Sequence, residues 1–217
     1  QVNAGLTNTG VYCLTVVGTD IFAGTFGGGT FRSTNNGTNW TEVNTGLTNL
    51  RVQCFAVNGT NLFAGTEQGG VFRSTNSGTN WTAVNTGLTG FNIPSLAVSG
   101  TNLFATSNNI FLSTNNGTSW TAVNSGLTNT SVGSFAVSGT NLFAGTSSGV
   151  FRSTNNGANW APANSGMTNT GVWCFAAIGT TLLAGSGVGV HLTTNSGTSW
   201  TRVGPPNTDV WCLALDG

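Results

Sequence analysis

Charge is scarce in this 217-residue chain: five arginines stand against five acidic residues, and there is no lysine. Phosphate backbones demand a basic stripe, which five scattered arginines do not make, so nucleic acid is excluded as an expected partner. No run of about 18 apolar residues occurs, so no helix is expected to span a membrane. One histidine and four well-separated cysteines lack the tight local pairs that zinc sites use. No metal and no cofactor is expected. Helical periodicity is missing as well. The chain opens on Gln1 without an initiating Met, as a processed end or a piece of a longer protein does. A formal net charge of zero leaves little to oppose self-association.

Gly, Asn, Thr and Ser supply the polarity instead, and they are arranged in a repeat. The stretch Phe31-Arg-Ser-Thr-Asn-Asn-Gly-Thr-Asn-Trp40 returns at 72–81, 111–120, 151–160 and, more loosely, 191–200. Trp40, Trp81, Trp120, Trp160 and Trp200 are spaced by 41, 39, 40 and 40 residues. A period near 40 over the whole length predicts one repeat domain, 1–217, whose units bury their apolar faces against their neighbours. Each unit contains four short β-branched and aromatic segments bounded by Gly and Asn; in the first they are 11–18, 20–25, 30–33 and 40–44. Four antiparallel strands per unit predict an all-β fold, a β-propeller, with the apolar first strands innermost and covered on both faces.

The repeated turn has a physical account. Asn35, Asn76, Asn115, Asn155 and Asn195 are placed to fold their side-chain oxygens onto backbone N–H groups. Gly37, Gly78, Gly117, Gly157 and Gly197 supply a positive φ. The Trp that follows buries a ring of roughly 150–250 Å².

The pattern Ser-x-Asn-x-Gly-x-x-Trp resembles the Asp-box, or bacterial neuraminidase repeat, with Asn where that family has Asp and Thr193 replacing Ser in the last copy. Similar repeats occur in sialidases, xyloglucanases, sortilin-type receptors, photosystem assembly factors and secreted bacterial surface proteins. The resemblance implies a propeller, and a turn that is structural and remote from any active site. A resembling sialidase would need an arginine cluster and a Tyr with an acid partner. Here Arg32, Arg73 and Arg152 sit at repeat-equivalent positions beside the turn, and Tyr12 is the one tyrosine. Glycoside hydrolysis would have to draw its carboxylates from Asp20, Glu42, Glu67, Asp209 and Asp216. His191 occupies the slot of Phe31 and reads as a packed ring. Gly185-Ser-Gly-Val-Gly189 looks like a phosphate loop but no helix pattern follows it, so it reads as a strand connection. No catalytic residue is named, and the expectation is a protein that is not an enzyme.

Both ends are partial units. Residues 1–7 match the tail of a fourth strand, and 210–217 match a sixth first strand. Five full repeats with two overhangs predict about six blades, one of them incomplete. Unfinished strand edges and low charge point to assembly with other protein chains, copies of itself included, at an extracellular or cell-surface location.

Two sets of positions remain. Cys13, Cys54, Cys174 and Cys212 share the third position of a first strand, which Ser95 and Ser134 fill elsewhere, and they read as small buried thiols. Directly before them stand Tyr12, Gln53, Pro94, Gly133, Trp173 and Trp211, varying freely where all around them repeats. In a six-fold ring Trp173, Trp211 and Tyr12 would be consecutive, forming an aromatic arc at a channel mouth. They are the candidates for ligand or partner binding, suited to a protein interface or to sugar stacking; the bland alternative is that they plug the mouth. The function expected is therefore an extracellular structural or protein-interaction propeller. A carbohydrate-binding propeller is the alternative, and a glycosidase fragment a third reading.

Overall fold

The β-branched segments between the Gly- and Asn-rich turns form strands in the computed structural model, which describes residues 2–167, 171–204 and 208–214. The first unit supplies β1 (Val11–Val17), β2 (Asp20–Thr25), β3 (Thr30–Ser33) and β4 (Thr41–Glu42). The second supplies β5 (Val52–Asn58), β6 (Asn61–Thr66), β7 (Val71–Ser74) and β8 (Thr82–Ala83). The third has β9 (Leu96–Ser99), β10 (Asn102–Thr106), β11 (Ile110–Ser113) and β12 (Thr121–Ala122). The fourth has β13 (Val132–Ser138), β14 (Asn141–Thr146), β15 (Gly149–Ser153) and β16 (Ala161–Pro162). The fifth has β17 (Val172–Ile178), β18 (Thr181–Ser186), β19 (Gly189–Thr193) and β20 (Thr201–Val203). Each unit is one four-stranded sheet with its strands side by side in chain order. These are the blades of a β-propeller, and no helix occurs among the described residues.

The chain divides into two compact units, one of Gln1–Ser107 with Ser113–Thr121, the other of Asn108–Leu112 with Ala122–Gly217. In the first, an apolar core lies between the first two blades: Phe22, Val52, Leu62, Ala64, Phe72 and Trp81 are buried, with Phe55 and Val57 packed against them. In the second, Phe143, Val150, Val172, Leu182 and Trp200 form the corresponding core between the last two blades.

The repeated turn is a hydrogen-bonded lock. Ser33 Oγ donates to Asn35 Oδ1 (3.0 Å) and accepts from the amide of Gly37 (2.9 Å), while Asn35 Oδ1 accepts from the amide of Asn39 (2.9 Å). The amide of Thr38 donates to the Asn35 carbonyl at 3.2 Å, across two residues with positive φ, Asn36 at 54° and Gly37 at 81°. That is the geometry of a type I′ turn, and it explains why the residue before the glycine is always Asn or Ser. The amide of Asn has a use that a carboxylate lacks: Asn115 and Asn195 donate through Nδ2 to Ser119 and Ser199, each at 2.9 Å.

The Trp after each turn staples its blade to the one before. Trp81 donates from its backbone N to the Thr45 carbonyl and from Nε1 to the Val43 carbonyl, at 2.8 and 2.9 Å. Trp120, Trp160 and Trp200 repeat both bonds. A second fastener went unnoticed in the sequence. Asn44 Oδ1 accepts from the amide of Thr30 (2.7 Å) while Nδ2 donates to the Gly28 carbonyl (2.9 Å), tying the end of the fourth strand across the blade. Asn85 does the same with Val71 and Gly69. In the fifth blade Gly204 stands in this place.

Three expectations need correction. First strands are not all covered on both faces: β1 leaves Leu14 at 64% and Val16 at 60% exposed, and Ile178 of β17 is exposed too. The third blade's first strand, which the sequence pattern places at 93–98, begins only at Leu96, because Pro94 has no N–H for the ladder and the Ser95 amide donates to Thr106 Oγ1 instead. Residues 210–214, expected to form a sixth first strand, carry no strand; Leu215 and the remainder lie outside the described residues. Even so, the amide of Val210 donates to the Ser186 carbonyl at 3.1 Å, so the segment does dock on the fifth blade.

His191 occupies the slot of Phe31, Phe72, Phe111 and Phe151 and is equally buried, with Nδ1 lacking a hydrogen-bond partner among the described residues. Burial, and then the neighbouring Arg202 charge, push its pKa below the ordinary 6.5. A depressed histidine means the unfolded chain binds the extra proton, so stability is complete above about pH 6.5 and declines as pH falls below it. Thermal melts between pH 7.5 and 5 should show this loss, and His191→Phe should reduce it. A melting profile that the substitution leaves unchanged would show that His191 does not carry the acid sensitivity.

Candidate functional site

The variable position has a backbone cause. In β1, β5, β13 and β17 the pairing with the next strand skips one residue, and the skipped residues are Tyr12, Gln53, Gly133 and Trp173. A β-bulge leaves its extra residue outside the ladder and re-aims the side chain, which frees it from packing. The freedom seen in the sequence is therefore the freedom of a bulge.

In the first unit the bulge places Tyr12 on Phe26, ring centroids 5.3 Å apart at 54°. Arg51 lays its guanidinium over the other ring at 4.3 Å from the Phe26 centroid and binds Glu67 at 2.7 Å. Phe26 and Arg51 are backbone-bridged, so the ladder of Tyr12, Phe26 and Arg51 has a rigid base. The first unit also exposes the apolar side chains of Val2, Val11, Leu14, Val16, Leu50 and Phe91.

In the second unit the arrangement differs. Trp173 stacks on Trp211 with centroids 4.1 Å apart and planes 11° from parallel. Two glycines clear the space for Trp173: a Cβ at Gly187 would lie 3.2 Å from the indole, and one at Gly171 3.4 Å from its Nε1. Trp211 stays 68% exposed, and Asp209 lies beside Gly187. The predicted pair of tryptophans is thus brought together. Tyr12 belongs to the first unit and has Phe26 as its partner. Phe26 and Arg51 were missed, although a signal existed: the residue after the second strand is Phe26, Glu67, Ser107, Ser147 or Gly187, as variable as the bulge itself.

The other candidates are absorbed by the frame. All four cysteines are free thiols. Cys54 donates to the Ile93 carbonyl at 3.3 Å and Cys174 to that of Val210 at 3.5 Å. Burial pushes the Cys13 thiol up to about 12, Cys174 to about 11, and Cys54 well above the ordinary 9.0, so these three stay protonated at neutral pH. Cys212 departs from the buried-thiol expectation and is exposed. Asp20 pairs with Arg32, whose Nε donates at 2.8 Å, Glu67 with Arg51, and Glu42 accepts from Asn44 Nδ2. Asp216 lies outside the described residues. Arg73 and Arg152 donate to the carbonyls of Asn116 and Ser196 in the following blades' turns. The glycine run at 185–189 is the β18–β19 hairpin, as expected.

The family model described as the DUF6242 beta propeller domain matches residues 6–125, more than half of the chain. The chain belongs to the DUF6242 β-propeller family. Among curated proteins no sequence match is found. Solved structures share the fold at low identity. An ancestral GH74 enzyme matches all of this chain at 23% identity with a TM-score of 0.81, over 34% of its own length. The extracellular domain of the putative one-component system BT4673 from B. thetaiotaomicron matches 92% of the chain at 16% identity and TM-score 0.72, over 28% of its length. YCF48 bound to D1 peptide matches 88% at 16% identity and TM-score 0.68, over 66% of its length. The chain spans about a third of the length of the GH74 enzyme. At these identities the shared property is the propeller.

Proposed function

We propose that this member of the DUF6242 β-propeller family is a non-catalytic, extracellular interaction module that binds another polypeptide on the open face of β1. The observation that carries this is Leu14 and Val16, 64% and 60% exposed, at the positions where the second blade packs Phe55 and Val57 into the core. That face was built to be covered. Its natural occupant is a sheet of the same repeat chemistry, since every residue pattern on it is one that elsewhere receives a preceding blade.

The composition of the first unit's surface agrees. Of ten exposed large apolar residues among the described ones, eight lie in this unit, and the Tyr12–Phe26–Arg51 ladder has the Tyr, Phe and Arg content typical of interface anchors. The non-catalytic reading draws support from the acids, three of which are tied to Arg32, Arg51 and Asn44. YCF48, a protein of the same fold, is seen bound to a peptide, and the BT4673 match is an extracellular domain. Sedimentation of the chain and of L14D/V16D tests the reading. Association that disappears in the double variant supports it. A monomer that neither self-associates nor captures blade-like fragments of this repeat, in either form, overturns it.

A further inference from the structure

The second unit's exposed aromatic surface differs in kind from the first unit's. Among its described residues only Ile178 and Trp211 are exposed large apolar side chains, and Ile178 sits at the far end of β17 from the bulge at Trp173. Among the described residues Trp211 is therefore a single flat platform and not the centre of an apolar patch. A protein partner needs several hundred Å² of apolar contact around its anchors, and this surface offers one ring. A pyranose needs one ring: its C–H face lies on an aromatic face while its hydroxyls reach polar groups at the edge.

The platform is prearranged. Trp173, half-buried, backs Trp211 in a near-parallel stack at 4.1 Å, which occupies one indole face and leaves the other free. Gly171 and Gly187 contribute no side chain, so nothing stands over the stack from those positions. Asp209, exposed and close to Gly187, is a carboxylate acceptor for paired hydroxyls. Asn129, half-buried and bonded through Nδ2 to Ser147 and Ser148 at 2.7 and 2.9 Å, lines the same rim, where Ser147 adjoins Gly171. Asp209, an acceptor on a rim where the described Asn129, Ser147 and Ser148 offer amide and hydroxyl groups, suits a neutral sugar and disfavours an anionic one.

We infer that the Trp173–Trp211 stack with Asp209 is a binding platform for neutral pyranose glycans. It is independent of the β1 face, stands on different residues, and needs no bond to be made or broken in the ligand. Binding is weak and single-site in character, as one stacked ring and a few hydroxyl bonds allow.

Titration of the full chain with cellohexaose, mannohexaose and maltohexaose, read by tryptophan fluorescence and by calorimetry, tests it. Saturable binding of at least one of them at millimolar concentration or below is expected. Trp211→Ala should weaken it roughly tenfold or more, in line with the loss of about 1.5 kcal/mol of stacking. Trp211→Tyr should retain most of it, Asp209→Asn should weaken it severalfold, and L14D/V16D should leave it unchanged. Circular dichroism confirms that each variant is folded. Absence of binding to all three sugars, or binding that Trp211→Ala leaves intact, overturns the inference. So does a Trp211→Ala variant that loses only thermal stability, since the stack is then a cap on the fifth blade.

Discussion

Trp81→Ala is expected to lower the unfolding free energy by about 3–5 kcal/mol, the range for removing a buried aromatic ring. The ring is 4% exposed and lies in the core between the first two blades, against residues of both. Its loss leaves a cavity and also strands the Val43 carbonyl, which otherwise accepts from Nε1 at 2.9 Å. Urea titration followed by far-UV circular dichroism measures the change. Trp40→Ala is the informative comparison. Trp40 makes the same pair of bonds, but to Ala4 and Val2 of the N-terminal segment, and its ring is only half-buried. Its substitution should therefore cost clearly less. Equal losses at the two positions would contradict the view that neighbouring blades create the worth of this residue.

Gly65→Ala should be the other severe change. A Cβ there would come 2.5 Å from Cys54 Sγ, 2.7 Å from Ile93 Cγ2 and 2.9 Å from the Ile93 carbonyl. The backbone at Gly65 lies outside the left-handed region, so the penalty is steric: overpacking of this kind costs about 1–3 kcal/mol or more. Adding Cys54→Ala removes the sulfur but not the carbonyl, and should restore only part of the loss in a double-mutant cycle. Gly133→Ala is the control, because a Cβ there meets nothing within 4 Å; it should be close to neutral. The chain contains its own version of the experiment. In the third blade Thr106 takes the glycine slot, its amide and Oγ1 bond the Ser95 carbonyl at 3.0 and 3.3 Å, and the regular first strand starts one residue later, at Leu96.

Much of the frame could be read without coordinates. The turn announced itself because Asn and Gly at fixed spacing act through bonds within five residues of each other, as at Ser33, Asn35 and Gly37. The Trp was legible as a buried ring from its regular spacing, although its two bonds to the preceding repeat, at Trp81 to the Thr45 and Val43 carbonyls, were not. Asn44 and Asn85 were hidden among many asparagines, since their partners lie 14 and 16 residues away across the blade. At the candidate site the sequence singled out Tyr12, Trp173 and Trp211 by their failure to repeat. It did not disclose the bulge that frees them, nor Phe26, which meets Tyr12 once β1 and β2 pair, nor Arg51, which the backbone bridge to Phe26 brings over that ring.

What the amino-acid sequence determined by itself is the blade: strand, turn, strand, set by local backbone chemistry and copied five times. What only the tertiary structure decided is which copies have a covered face. Leu14 and Phe55 hold equivalent places in the repeat, yet one is exposed and the other packed against the first blade. The difference lies in the neighbour, and burial is a property of pairs of blades that no single repeat encodes.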